Sequence, residues 1–137
     1  MSVKKRYNEC VITGCDHVTE WQLNWFIDNY GQHERRPLIV CDFGMSPRYK
    51  QYCAQHPAVY GVMNLAETKD EGWFNKPIAM LNSPAKKTLW LDTDCEVKSP
   101  LAPLFKMIVP GKLNMVEDKP WTKRRNETWH NSGVVGL

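Results

Sequence analysis

The sequence predicts an α/β sandwich with a mostly parallel central sheet flanked by helices, and three observations predict it. Short apolar runs end at glycine or aspartate: residues 10–13 before Gly14, 37–41 before Asp42, and 88–91 before Asp92. Segments with helical spacing alternate with these runs through the first two-thirds of the chain, the order that builds parallel strands joined by crossover helices. A length of 137 residues with 42% hydrophobic content is enough for one domain with a modest core, taken as residues 1–137.

The elements follow in order. Cys10-Val11-Ile12-Thr13 reads as a buried strand that Gly14 breaks into a tight loop. Asp16 or Thr19 then caps a helix whose apolar spacing is Trp21, Trp25, Phe26 and Tyr30, with Gly31 ending it. Residues 37–41 form a second strand, closed by Asp42-Phe43-Gly44, and Ser46-Pro47 opens a helix over 48–55. A third strand is expected over 59–62. Residues 71–82 read as a helix that Pro77 forces to start near Lys76 or to kink there. Thr88-Leu89-Trp90-Leu91 is the clearest central strand. Beyond it lie one helical turn around 104–107 and two last strands, 113–116 and 133–137.

Composition narrows the function. The formal charge of +3 is small, and the clusters Lys4-Lys5-Arg6 and Lys123-Arg124-Arg125 extend into no long basic run, so no nucleic-acid partner is expected. Five cysteines, an odd set without a C-x-x-C pair, argue against a disulfide framework or a zinc site and for reduced thiols in a cytoplasmic setting. No apolar stretch is long enough to span a membrane, and the polar start is not followed by a signal-peptide core.

Asp92-Thr93-Asp94 carries the chemistry. On an extended segment both carboxylates project to one side, with Cα atoms about 6.6 Å apart, twice the strand rise. Converging carboxylates without a Cys/His cluster suit Mg²⁺ or Mn²⁺. In an open α/β sheet, ligands collect at the carboxyl ends of the strands, where this pair sits. An EF-hand loop fails, because the sixth position counted from Asp92 is Val97 and the twelfth is Pro103.

Four segments in order, Val11-Ile12-Thr13-Gly14, Asn75-Lys76-Pro77, Leu89-Trp90-Leu91-Asp92-Thr93-Asp94 and His130-Asn131-Ser132-Gly133-Val134-Val135, resemble the GT-A glycosyltransferases, particularly the glycogenin-like and bacterial galactosyltransferase-like family of the family 8 type. The resemblance implies a Rossmann-like GT-A fold and metal-dependent transfer of a hexose from a nucleoside-diphosphate sugar, UDP-linked, to a saccharide or other hydroxyl acceptor, with Mn²⁺ or Mg²⁺. It places Thr13, Gly14 and Asp16 against the base and ribose, and Asp42 at the second strand end near the base. Lys76 would contact the donor. Asp92 and Asp94 would bind the metal, Asp92 also lying near the ribose. Asn131 would sit beside the donor sugar, and Ser132-Gly133 would let the backbone approach it. The resemblance favours retention of configuration, with Glu117 and Asp118 as candidate bases for an inverting reaction. Family members continue past the N-S-G-V strand into acceptor contacts and a metal-binding histidine. The expectation is therefore a short or truncated member lacking the acceptor-binding C-terminal part, one that a homodimer could complete.

Each assignment has a plainer counterpart. Asp16 is equally a helix cap, Lys76 a solvated helix charge, Asn131 a turn-satisfying side chain and His130 a surface histidine. Trp73 and Trp90 read as core, whereas Trp121 and Trp129, flanked by polar residues, are the better sugar contacts. Two other functions compete: a catalytically incomplete module that binds nucleotide-sugar and metal, and a haloacid-dehalogenase-like phosphohydrolase. The latter normally carries its aspartate pair on the first strand, not at position 92.

Overall fold

The computed structural model describes residues 4–66 and 75–137. Six strands form one sheet: β1 (Tyr7–Cys15), β2 (Leu38–Asp42), β3 (Val59–Asn64), β4 (Ala85–Leu91), β5 (Asn114–Glu117) and β6 (His130–Gly136). Their order is β3-β2-β1-β4-β6-β5. The first four are parallel, and β6 runs antiparallel to both β4 and β5. This is the expected α/β sandwich with a mostly parallel sheet.

Alternation along the strands sorts the core into two layers. Val11, Leu38, Val40, Leu89 and Leu91 face one side. There they pack on helix α1 (Leu23–His33), on Cys53 of α2 (Pro47–Gln55) and on Phe105 of α4 (Ala102–Met107). Cys10, Ile12, Ile39, Cys41, Trp90 and Val135 face the other, under Ala79 of α3 (Lys76–Leu81). All five cysteines are free thiols, four of them buried. No helix among the described residues is long and apolar enough to cross a membrane.

Several boundaries differ from expectation. β1 continues through Gly14 to Cys15, because its pairing with β2 holds as far as Asp42. The first helix buries Leu23, Phe26, Ile27 and Tyr30, while Trp21 and Trp25 stand exposed on the opposite face. A 3₁₀ turn (Glu20–Gln22) precedes α1 and shifts the register that the tryptophans suggested. Gly31 does not end α1, which runs on to His33. α3 begins at Lys76, as Pro77 requires; residues 71–74 of the expected helix, with Trp73, lie outside the described residues. β6 starts at His130 instead of Gly133. Helix α5 (Lys119–Arg125) was not foreseen. Its signal was Asp118-Lys119-Pro120, an N-cap aspartate ahead of a first-turn proline, and the Asp118 carboxylate accepts from the Trp121 backbone N–H.

A buried carboxylate fastens the segment after β4 to α1. Glu34, 5% exposed, accepts the backbone N–H groups of Arg35 and Arg36 and the Arg36 guanidinium on Oε1, and the Leu101 N–H on Oε2 at 2.6 Å. Burial alone would raise this carboxyl, but the donors, Leu101 first, hold it below its ordinary value.

Candidate functional site

A cleft of about 740 Å³ opens at the carboxyl ends of β1 and β4, within the range of small-molecule sites. Because β6 is antiparallel, its first residues reach the same end of the sheet as the last residues of β4. Three contacts lock that junction. The Asp92 N–H donates to the Gly133 carbonyl at 2.9 Å, the Cys95 thiol points at the same carbonyl at 3.6 Å, and Asp92 and Cys95 close a turn through Cys95 N–H to Asp92 C=O at 3.0 Å. Burial, then the Asp92 and Asp94 carboxylates, push the Cys95 thiol up, so it remains the donor.

Asp92-Thr93-Asp94 is thus a turn and not an extended segment. β4 ends at Leu91, and the same-face argument does not describe this geometry. The two aspartates nevertheless line the same cleft, Asp92 partly buried and Asp94 exposed. Thr93 lines it as well: largely buried, its hydroxyl donates to Gln22 Oε1 at 2.6 Å and ties the turn to the 3₁₀ segment. Asp92 Oδ1 is held by the Lys76 ammonium at 2.6 Å and by the Trp90 indole N–H at 2.7 Å. Lys76 also reaches the Ser132 carbonyl and hydroxyl at 3.3 and 3.4 Å, so one cation bridges α3, β4 and β6.

The remaining expected residues divide. Gly14, Asp16, Lys76, Asn131, Ser132 and Gly133 line the cleft. Asp16 does so while capping its own loop, accepting from the Val18 and Thr19 N–H groups. Asn131 accepts the Gly133 N–H at 2.8 Å, the turn contact weighed against a ligand role. Two expected residues lie elsewhere. Thr13 is fully enclosed and does not line the cleft, because β1 runs on past it and strand alternation turns it to the face of Val11 and Cys15. Asp42, 2% exposed, folds back on its own turn. It accepts the Gly44 and Met45 N–H groups and pairs with Lys50 at 3.1 Å. Burial would raise its carboxyl, but those N–H groups and Lys50 hold it below the ordinary range.

Gly14 shows why its position has no side chain. A Cβ there would lie 2.8 Å from the Cys41 carbonyl oxygen and 2.8 Å from the Phe43 ring. Phe43 stacks on Trp90 at 6.3 Å, and both rings form the cleft floor beside the Asp92 turn.

Sequence reasoning missed Gln22, Phe43 and Arg125 as lining residues. For Arg125, one of the Lys123-Arg124-Arg125 cluster, the signal was the four-residue spacing from Trp121, which a helix converts to one face. The far wall of the cleft comes from α5 and the start of β6: Asp118, Trp121, Arg125, Trp129 and His130. Glu117 is exposed and lines nothing here.

The residues present suit a hard divalent cation that takes part of its coordination from elsewhere. Asp92 and Asp94 offer carboxylate oxygens at the cleft, and the described residues contain no group of three or more Asp, Glu, His or Cys side chains placed to hold a metal ion by themselves. One or two carboxylates completed by substrate phosphates and water is the usual arrangement for Mg²⁺.

No protein-family model matches the chain, and no curated protein matches it in sequence. Solved structures do match in shape. The glycosyltransferase GlyE of Streptococcus pneumoniae TIGR4 superposes with a TM-score of 0.71 at 14% identity, over 96% of this chain and 34% of GlyE. The bifunctional glycosyltransferase WbbM gives 0.67 at 14% identity, over 96% of this chain and 31% of that one. The galactosyltransferase LgtC, solved with donor and acceptor sugar analogues, gives 0.63 at 16% identity, over 94% and 57%. The chain therefore spans between about a third and just over half of these proteins, and the likeness identifies its fold as the Rossmann-like sandwich they share.

Proposed function

We propose that this chain carries the donor site of a glycosyltransferase, binding a nucleoside-diphosphate hexose, UDP-linked, with Mn²⁺ or Mg²⁺ at Asp92 and Asp94. The observation that carries the reading is convergence: the Asp92 turn, Lys76, the 131–133 segment and the Gly14–Asp16 end of β1 line one cleft at the strand ends. The likeness to glycosyltransferase folds supports it.

In this reading the base and ribose lie by Gly14 and Asp16, and the diphosphate by the Asp92 turn. The cation, when bound, supplies charge that stabilises the departing diphosphate. Lys76, already poised between Asp92 and Ser132, adds a second positive charge on the phosphates. Asn131 and the Gly133 Cα, bare of any side chain, face the transferred sugar. A Cβ at Gly133 would come 3.0 Å from Asn131 Oδ1 and 3.5 Å from Asp92 Oδ2, so glycine keeps that approach open.

Calorimetry with UDP, UDP-glucose and UDP-galactose, with and without Mn²⁺, tests this. Binding should require the metal and disappear in Asp94→Ala, whose exposed side chain makes the fold insensitive to its loss. Metal-independent binding, or an Asp94→Ala variant that binds normally, would remove the site assignment. Sugar transfer or donor hydrolysis under the same conditions separates a working enzyme from a module that only binds.

A further inference from the structure

We infer that Trp121 and Trp129 form a platform for the acceptor, and that the acceptor is a saccharide. This rests on the donor-site reading for the direction of the cleft, but the platform is built from observations of its own.

The two indoles are large, exposed and fixed. They keep 40% and 42% exposure, sit 6.1 Å apart and are tilted by 35°. Each is tethered through N–H groups, while guanidiniums lie over the rings: Arg124 is 4.7 Å from the Trp121 centroid, and Arg125 approaches both rings. The Trp121 N–H is capped by Asp118 Oδ1, and the Trp129 N–H donates to the Thr122 hydroxyl at 2.9 Å. The Trp129 indole N–H donates to Glu127 at 3.1 Å. The Asp118 N–H returns to the Trp129 carbonyl at 2.8 Å, closing α5 onto β6. Asn126 takes a left-handed conformation, φ 55°, to end α5 and turn the chain back. α5 buries no residue of its own, so core packing does not account for either indole.

Placement says which part of a substrate meets them. Strand order runs β1, β4, β6, β5, so the cleft passes from the Gly14 end of β1 across the Asp92 turn to α5. The indoles therefore lie across the diphosphate position from the nucleoside end, where the acceptor must approach. Pyranose rings present an apolar face of C–H groups that packs on an indole while their hydroxyls seek polar neighbours. Asp118 and His130 line the same wall, and Arg125 lies 5.4 and 5.9 Å from the two ring centroids. A guanidinium on the rings leaves N–H donors for hydroxyls at their edge.

The test titrates lactose, maltose, cellobiose and N-acetyllactosamine into protein holding UDP and Mn²⁺, following tryptophan emission and saturation-transfer NMR. At least one saccharide should bind, weakening at least tenfold in Trp121→Ala and in Trp129→Ala. Phenylalanine at either position, which keeps a ring face, should restore binding to within about threefold. UDP affinity, measured in parallel, should change less than threefold in all four variants. Saccharide binding that survives both alanine variants overturns the platform. So does the absence of any response in wild-type protein, whatever UDP does. Loss of UDP affinity in the alanine variants would instead assign the indoles to the nucleobase, also overturning it. Saccharide binding by protein that has no affinity for UDP would keep the platform and remove the donor-site reading, so the two failures remain distinct.

Discussion

The Lys76 ammonium stands 2.6 Å from Asp92 Oδ1, and the Trp90 indole N–H holds the same oxygen at 2.7 Å. The first aspartate of the D-x-D turn is therefore paired before any cation arrives. A divalent ion and Lys76 compete for this carboxylate, whereas a diphosphate attracts both. Replacing Lys76 by alanine should leave Mn²⁺ binding alone unchanged or tighter, while UDP binding in the presence of Mn²⁺ weakens about tenfold, a loss of about 1.4 kcal/mol. Calorimetric titrations of Mn²⁺ and of UDP check this. Equal weakening of both would mean that Lys76 only orients Asp92.

Gly14 is the point where the cleft and the core meet. The contacts a Cβ would make, with the Cys41 carbonyl oxygen and the Phe43 ring both at 2.8 Å, include backbone that cannot rotate aside. Gly14→Ala should destabilise the protein by about 1–3 kcal/mol, the usual penalty for overpacking. It should also weaken UDP binding by moving Phe43. Urea denaturation together with calorimetry reads both, and an alanine variant of unchanged stability would contradict the contact.

Most of the fold was legible because its strands are continuous apolar runs that stop at glycine or aspartate. The 88–91 run led directly to β4, and Pro77 correctly placed the start of α3 at Lys76. The errors have local causes. Trp21 and Trp25 share helical spacing with the core but face solvent, because a tryptophan stripe and a leucine–phenylalanine stripe coexist on one amphipathic segment. Asp42 and Asp16 carry the same carboxylate at the same kind of strand end, yet Asp42 is consumed by its own turn and Lys50. Which backbone N–H groups a side chain meets depends on loop geometry that residue type does not specify. The exposure of Trp121 and Trp129 was legible in their polar flanks, while Arg125 became a cleft residue only once α5 existed.

Glu34 and Asp42 should make stability fall in acid. Both carboxyls are held below their ordinary values of 4.5 and 3.8, so between the folded and unfolded values the unfolded chain binds more protons. Their contribution is complete above about pH 5 and is lost as pH falls through the depressed folded values. Glu34→Gln cannot accept four charge-assisted bonds. It should be less stable than wild type by about 1–3 kcal/mol at pH 7, the cost of leaving buried donors poorly satisfied. That difference should shrink below pH 4.5, where the unfolded wild-type chain takes up a proton that the folded carboxyl still excludes. Urea midpoints from pH 3 to 7 measure it, and a gap independent of pH would show that the charge of Glu34 contributes nothing.

Thr13 separates a nucleotide contact from a core position. Its hydroxyl is the one buried side-chain oxygen or nitrogen without a hydrogen-bond partner among the described residues, and its side chain is shut off from the cleft. An unsatisfied buried hydroxyl carries a desolvation cost that a methyl of the same shape does not. Thr13→Val should therefore keep or raise stability, by up to about 1 kcal/mol, and leave UDP affinity within the error of calorimetry. If the hydroxyl instead reached the ribose in the bound state, valine would weaken UDP binding without destabilising the free protein. Measuring both quantities on the one variant decides between these positions, because burial acts on folding alone and a nucleotide contact acts on affinity alone.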